Sequence, residues 1–473
     1  MEKSTFRVII VGGSIAGLTL AHCLERVGIN YLILEKASEI APQVGASVGI
    51  FPNGSRILDQ LRIYSEVEKQ IEPLETATIS YPDGFNFSSS YPRIIHQRFG
   101  FPIAFLDRQK LLEILYTKLP DHSRIQLRSR VVSVLATHDG VTVTTENAQT
   151  YTGQLVVGAD GVHSRVRSEM WKAAQKLGQG IMMKDQQGIA TEYCCVFGIS
   201  SPVKGLNVGE QVNAFYDRLT IVTIHGKNGR VYWFLIQKLD QRYRYPDNPR
   251  FGPESAAVVA ERARHRCLYK NITFGQVWDS REVATMTPLE EGLLQTWHHG
   301  RMVLVGDSAH KMTPNIGQGA NMAIEDAARL ASLLNHLVNS RTGQQPTATD
   351  VEVMLQDYRN SRFPRAQSIY NTSRFLVRLQ ARDGLFNTLF GRYYAPYAGD
   401  LPADMASKTI ASGEVCDFLP LRSPTRAWEI YRSRKEGIFM ASKEAIVMVI
   451  LLGLVVRYFW PLVRPNLFSA QYH

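Results

Sequence analysis

Apolar runs and their spacing divide the chain into recognisable blocks. Phe6–Val11 is a short continuous apolar run, Ile15–Val27 has helical spacing, and Tyr31–Glu35 is a second short run. Strand, helix and strand in that order predict a βαβ opening. A helix is predicted over Arg108–Leu119, and short strands over Val131–Ala136, Val141–Thr145 and Leu155–Val157. The pattern then lengthens. Tyr193–Ile199, Gln211–Tyr216, Leu219–Ile224 and Val231–Leu239 read as a separate, largely antiparallel sheet inserted between the flanking segments. Met302–Val305 returns as a buried strand, and Asn321–Leu337 as a helix with small residues on one face. Glu325 and Asp326 read as ordinary polar positions of that helix, and His310 as a structural residue of the preceding turn.

The far end of the chain differs. Ala445–Val456 is unbroken apolar sequence, and YFWPLV extends it beyond Arg457 to Val463. About 20 residues cross a bilayer, so 445–463 just suffices as a span. Tyr458, Phe459 and Trp460 suit a headgroup belt, and basic residues are more numerous before the run than after it. The expectation is a single-pass anchor in the endoplasmic reticulum membrane, with the body in the cytosol; a buried C-terminal helix is the competing reading. A net charge of +10 raises the question of nucleic acid. The basic residues are spread along the chain, however, and the densest group, Arg422 to Lys435, lies just before the apolar run. No nucleic-acid partner is expected. Five cysteines without a CxxC pair argue against a disulfide framework or a zinc site, so no metal is expected.

Chemistry first shows in VVGGSIAGL. Gly12, Ser14 and Gly17 hold the three positions of G-x-G-x-x-G between strand and helix, with a serine where the pattern has its second glycine. Gly12 permits the turn, and a small residue at 14 lets backbone approach a pyrophosphate. Gly17 lets the helix pack on the strand, and the helix N-terminus offers N–H groups to the anion. Glu35 closes the next strand, where a carboxylate accepts from ribose hydroxyls. Two more motifs follow. LVVGADGVHSRVR (Leu155–Arg167) is a strand ending in Gly158, Asp160 and Gly161. MVLVGDSAHKMTPNIGQGANMAIEDA (Met302–Ala327) is a strand, an acidic turn, a proline and a glycine-rich entry to a helix.

These three motifs, in this order, resemble the group A FAD-dependent monooxygenases, the para-hydroxybenzoate hydroxylase superfamily, over about residues 5–375. The resemblance implies an α/β fold: a Rossmann-like FAD-binding domain of glutathione-reductase type, an inserted, mainly antiparallel β-sheet substrate domain, and C-terminal helices plus the hydrophobic anchor. The domains expected are 1–180 (FAD-binding, first part), 181–290 (substrate-binding sheet), 291–380 (FAD-binding, second part), 381–440 (helical or linker) and 445–463 (anchor). By the same resemblance, Asp307 hydrogen-bonds the ribityl chain, and Gly317, Gly319 and Ala320, with Gln318, bring backbone N–H groups to the isoalloxazine edge. Pro314 lies near the reacting face of the ring. By that resemblance too, Gly45 and Gly49 belong to a loop under the flavin, Arg108 contacts the cofactor, and Asp160 lies near both FAD and the nicotinamide reductant; the lesser alternatives are a helix cap for Asp160 and a surface ion pair for Arg108.

The implied chemistry is reduction of FAD by NADPH, addition of O2 to give a flavin hydroperoxide, and oxygen transfer to substrate. Phe197, Phe215, Tyr216, Tyr232, Trp233 and Phe234 offer an apolar pocket, from which alternation sends some to packed core. Tyr216 matches a tyrosine proposed as catalytic in related fungal ring hydroxylases; an ordinary strand tyrosine is the competing reading. Their partner arginine falls near position 195, here Cys195. QVGASVGIFPNGSRILDQL, the 307–327 block and the apolar C-terminus are similar to fungal epoxidases of meroterpenoid and indole-diterpene pathways. That similarity implies epoxidation of a terminal prenyl double bond and a terpene cyclase as functional partner. Two alternatives stay open: an aromatic ring hydroxylase, and a non-catalytic flavin-fold protein that binds prenyl chains.

Overall fold

The computed structural model describes residues 6–43, 47–176, 185–186, 188–340, 344–422 and 425–433. Gly45 and the apolar run 445–463 lie outside them. Among the described residues, no helix is long and apolar enough to cross a membrane. Described residues up to Thr425 form one compact unit, and the Arg426–Ser433 helix belongs to another.

The predicted βαβ opening is present. Strand Arg7–Val11, helix Ile15–Arg26 and strand Asn30–Leu34 follow in sequence, with the two strands parallel and Val11 level with Leu34. The six-stranded sheet runs His298–His299, Met302–Leu304, Leu155–Gly158, Arg7–Val11, Asn30–Leu34, Ile125–Gln126. All pairings are parallel except the first. Its strands are buried on both faces, which explains their continuous apolar runs. Register decides what this sheet can hold. Val11 pairs with Gly158 and Gly158 with Leu304, so three strands end at one level. The Gly12 turn, the Asp160 turn and the Asp307 loop therefore emerge side by side, where open α/β sheets take ligands.

The second sheet has eight strands, in the order His310–Lys311, Arg281–Leu293, Ala190–Ser200, Val231–Arg244, Leu219–His225, Glu210–Tyr216, Thr76–Ser80, Asn86–Ser89. Only the Glu210–Tyr216 and Thr76–Ser80 pair is parallel. The sheet extends beyond 181–290, because two strands come from the first part of the chain and one edge pair from the 306–311 loop. Its two faces have different neighbours. Val196, Ala214, Tyr216, Ile221, Trp233 and Leu235 share a core with helices Ser255–Ala263 and Phe274–Asp279. Tyr193, Cys195, Phe197, Phe234 and Ile236 point the other way, onto Val377 and Ala381 at the end of helix Ala348–Gln380. Strand alternation alone makes this division.

Candidate active site

The glycine turn is built to the tolerances its residues imply. Gly12 has φ +106°, and a Cβ there would lie 2.5 Å from the Ala159 carbonyl oxygen; one on Gly17 would lie 2.0 Å from the Gly12 oxygen. Helix and turn are thus packed in backbone contact, and an alanine at either position must move one of them. Ser14 is the N-cap of helix Ile15–Arg26, and its hydroxyl accepts from Arg108 NH2 at 2.7 Å instead of capping the helix. Glu35 brackets the turn from the next strand. Its carboxylate accepts from Gly13 N at 2.7 Å and from Ala37 N at 2.8 Å.

Arg108 joins the turn to the third motif. Burial weakens the hold of its guanidinium on a proton, while Asp307 and Glu35, both within electrostatic reach, oppose that. Asp307 pairs with Lys311 at 2.5 Å. Burial works against the Lys311 charge, but Asp307, helped by Glu290, raises its pKa on balance. Ser14, Glu35, Arg108 and Asp307, expected at one site, are brought together.

Asp160 caps a helix, as the competing reading had it. It accepts from Ser164 Oγ at 2.6 Å, Arg165 N at 2.6 Å and Val166 N at 3.2 Å, at the start of helix Arg165–Lys176. Burial still raises its pKa against those three hydrogen bonds. Arg167, which sequence reasoning passed over, bridges the second and third motifs through the carbonyls of Val162 (2.5 Å) and Ser308 (3.1 Å).

The two loops expected around the ring system are fastened together by a residue that the motif reading also missed. Asn321 is fully buried. Its Oδ1 accepts from Phe51 N at 3.0 Å, and its Nδ2 donates to the carbonyls of Gly49 at 3.0 Å and Gly317 at 2.9 Å. Asn53 adds a second tie, donating to Gln318 Oε1 at 3.0 Å and Glu325 Oε1 at 2.7 Å. Gly317 takes φ +64° at the end of the Pro314–Ile316 turn and redirects the chain into helix Gly319–Ser340. Ala320 lies in the first turn of that helix, and a Cβ on Gly319 would meet open space.

Below these loops lies a buried ionic cluster, and here the reading of Glu325 and Asp326 as ordinary polar helix positions is corrected. Both are excluded from solvent. Arg362 binds Asp326 at 2.8 Å and Glu325 at 2.7 Å, and Arg365 binds Glu325 at 2.6 Å. Asp326 also accepts from Gly306 N at 2.8 Å and pairs with His310 Nε2 at 2.6 Å, so it holds both ends of the Asp307 loop. Burial alone would raise both carboxyl groups. For Glu325 the guanidinium groups of Arg365 and Arg362 outweigh it, and for Asp326 His310 and Arg362 do, so both sit at about 2.

Tyr216 is a second correction, because the structure does not bring it to this site. Its side chain lies in the core shared with helices Ser255–Ala263 and Phe274–Asp279, and its hydroxyl donates to the Cys267 carbonyl at 2.6 Å. Trp233 shares that face. The opposite face carries Phe197, Phe234 and Cys195. Tyr232 ties that face to the cofactor-side segment, donating to Asp107 Oδ1 at 2.9 Å, one residue before Arg108. Ser373 on helix Ala348–Gln380 bonds Thr313 Oγ1 at 2.7 Å and so secures the start of the Pro314 turn. A groove of about 950 Å³, lined by Leu135, Lys172, Met302 and Val353, opens at the other end of the parallel strands and takes no part in this site.

Comparison with known proteins decides the family. A family model described as FAD binding domain matches residues 5–373. The FAD-dependent monooxygenase penM of Penicillium crustosum is 65% identical over 440 residues, covering 92% of each chain. The FAD-dependent monooxygenase janM of Penicillium janthinellum is 60% identical, covering 100% of this chain and 97% of its own. The chain belongs to the FAD-dependent monooxygenases. The fold agrees: HpxO of Klebsiella pneumoniae, solved with FAD and uric acid, superposes with TM-score 0.71 at 20% identity, over 87% of this chain and 98% of its own.

The residues of this FAD-dependent monooxygenase fit its cofactor. The turn at Gly12 and Gly17 has no room for side chains, and open space borders Gly319 at the N-terminus of helix Gly319–Ser340. Ser47 Oγ, two residues from Gly49, is shielded from solvent without a partner among the described residues. Backbone N–H groups, a hydroxyl and carboxylates are the donors and acceptors that a dinucleotide requires.

Proposed function

We propose that this monooxygenase epoxidises the terminal double bond of a prenyl chain, of farnesyl type or longer, on a meroterpenoid or indole-diterpene intermediate, with NADPH as reductant. FAD, when bound, supplies the activation of O2. The chain supplies binding and order. Gly12, Ser14, Gly17 and the helix behind them would take the pyrophosphate, Glu35 the ribose, Arg108 and Asp307 the polar chain, and Gly49, Gly317, Gly319 and Ala320 the ring edge. Asp160 would hold the turn beside them.

The observation that carries the reading is the chemistry of the sheet face turned away from Tyr216. Cross-strand partners Phe197, Phe234, Val222 and Asn213 form one row, and Cys195, Ile236, Thr220 and Phe215 the next. Neither row holds a charge, and in the next row, Tyr193 beside Lys238, the ammonium is already paired with Asp383 at 2.6 Å. Cys195 is fully buried, and burial pushes its thiol well above the ordinary range, so it stays neutral. A hydroxylase that works through a phenolate needs a nearby cation, whereas an electron-rich alkene needs no deprotonation. An aromatic, water-poor face suits the alkene.

The proposal extends to setting. Residues 445–463 would anchor the enzyme in the endoplasmic reticulum membrane, where prenylated substrates partition, and a terpene cyclase would consume the epoxide. The test is NADPH consumption with a prenylated indole and with the same compound hydrogenated in its side chain. Coupled turnover to an epoxide or its diol is expected for the alkene alone. Equal oxygenation of the saturated compound on its ring would replace this reading with ring hydroxylation.

A further inference from the structure

Among the described residues, thirteen large apolar side chains are exposed, and seven of them fall between Phe375 and Met405. This is a clustering that scattered surface apolar residues do not show. It has an internal order. The chain runs through helix Leu385–Leu389, a wide turn at Phe390–Tyr394 and a tight one at Ala395–Tyr397. Leu385, Leu389, Tyr393 and Tyr397 recur every four residues and so share one stripe. Leu385 is 76%, Tyr393 65% and Tyr397 84% exposed. Behind that stripe, Phe386, Phe390 and Tyr394 stack, with ring centroids 5.8 and 4.8 Å apart, and Phe390 rests on Phe375 at 6.3 Å.

From Gly384 to Gly399 the sequence has a single charge, Arg392. Its guanidinium lies 3.6 Å from the centroid of Phe85 and pairs with Asp83 at 3.0 Å, so a surface carboxylate neutralises the charge. Phe85 touches Tyr81, Tyr81 touches Phe215, and Phe215 belongs to the uncharged Cys195 row described above. The exposed platform is thus linked, through Arg392 and then the Phe85, Tyr81 and Phe215 rings, to the sheet face that carries Cys195.

We propose that this platform, Phe375 with Leu385 to Tyr397, lies in the headgroup layer of a lipid bilayer as an interfacial contact. Tyrosine and phenylalanine mixed with leucine suit that depth, where rings meet acyl chains and hydroxyls meet water. Its uncharged part, Gly384 to Gly399, is 16 residues long, short of the about 20 that a span needs, which makes it a surface contact. The same chain carries a second apolar element at 445–463 outside the described residues, which favours a bilayer over a protein partner. The proposal stands independently of the epoxidase reading, because it requires no particular reaction.

The test uses the full chain in a Cys267→Ser background, since Cys267 is exposed. Single cysteines at Phe386→Cys, Tyr393→Cys or Tyr397→Cys receive an environment-sensitive fluorophore. Leu135→Cys and Val353→Cys, both exposed on the groove described above, serve as controls. The protein is mixed with phosphatidylcholine–phosphatidylserine vesicles whose acyl chains carry bromine. Emission from 386, 393 and 397 is expected to fall at least about twofold, with a blue shift, while 135 and 353 stay unchanged. Equal quenching at the control sites, or none at the three platform sites, overturns the proposal; an anchor that held the body off the bilayer would give the latter. Shielding of the three labels by self-association without lipid overturns it too, and assigns the platform to a second copy.

Discussion

Arg362 donates through Nε to Asp326 Oδ1 at 2.8 Å, and neither side chain reaches solvent. The pair ties helix Ala348–Gln380 to helix Gly319–Ser340, and through Gly306 and His310 it fixes the loop that presents Asp307. Arg362→Met leaves two carboxylates buried without their shared cation, at a cost of about 3–5 kcal/mol. Arg362→Lys recovers part of that, because an ammonium cannot fork between Glu325 and Asp326. Denaturant unfolding of the three proteins measures the order; equal midpoints would contradict it.

The same cluster sets a pH limit. Glu325 and Asp326 sit at about 2, below ordinary carboxyl values of 4.5 and 3.8. Lowered carboxyl pKa values stabilise the fold above the unfolded values, and that contribution is lost as pH falls through the folded ones. Stability should therefore drop between about pH 4.5 and pH 2. The Arg362→Met protein, without the arginine that lowers both groups, should show a smaller drop over that window in thermal unfolding.

Asn321 holds two loops with three hydrogen bonds. Asn321→Ala orphans Phe51 N and the carbonyls of Gly49 and Gly317, groups that cost about 1–3 kcal/mol each when buried unpaired. The loops shift to find partners, and FAD affinity should fall by about 10- to 100-fold, the equivalent of one or two such groups. Flavin fluorescence titration of the apoprotein checks this, and an affinity within about twofold of wild type would remove Asn321 from the account.

Tyr216 is assigned to the back layer of the sheet. Tyr216→Phe loses one hydrogen bond, to the Cys267 carbonyl, worth about 1 kcal/mol. Unfolding should register that loss and turnover should stay within about twofold, as for a side chain outside the site. A fall of a hundredfold or so in kcat, on the scale of a lost general acid, would return the phenol to catalysis.

The parts legible in the sequence were those set locally. Gly12, Gly17 and Glu35 are spaced within one βαβ unit, so their positions follow from turn geometry and strand length. The Asp307–Ala320 block likewise carries its own strand, turn and helix entry. The rest depended on distant partners. Glu325 and Asp326 look like solvent positions of a helix until Arg362 and Arg365 arrive from the next one, and Asn321 gains its meaning from Gly49 and Phe51, some 270 residues earlier. Phe215 and Tyr216 are adjacent aromatic residues on a strand buried on both faces, so no polar alternation marks which faces the site. Strands Thr76–Ser80 and Asn86–Ser89 join a sheet whose other members begin at residue 190 or later. No local pattern announces that pairing.

The central claim is oxygen transfer from O2 to an alkene over the uncharged Phe197 and Cys195 rows of the sheet. Turnover under 18O2 with NADPH and a prenylated indole, followed by mass spectrometry of product fragments, tests it most directly. One 18O atom on the terminal prenyl fragment, as epoxide or diol, is the predicted result. Label on the indole ring, or NADPH oxidised with 18O recovered only in hydrogen peroxide, would contradict it.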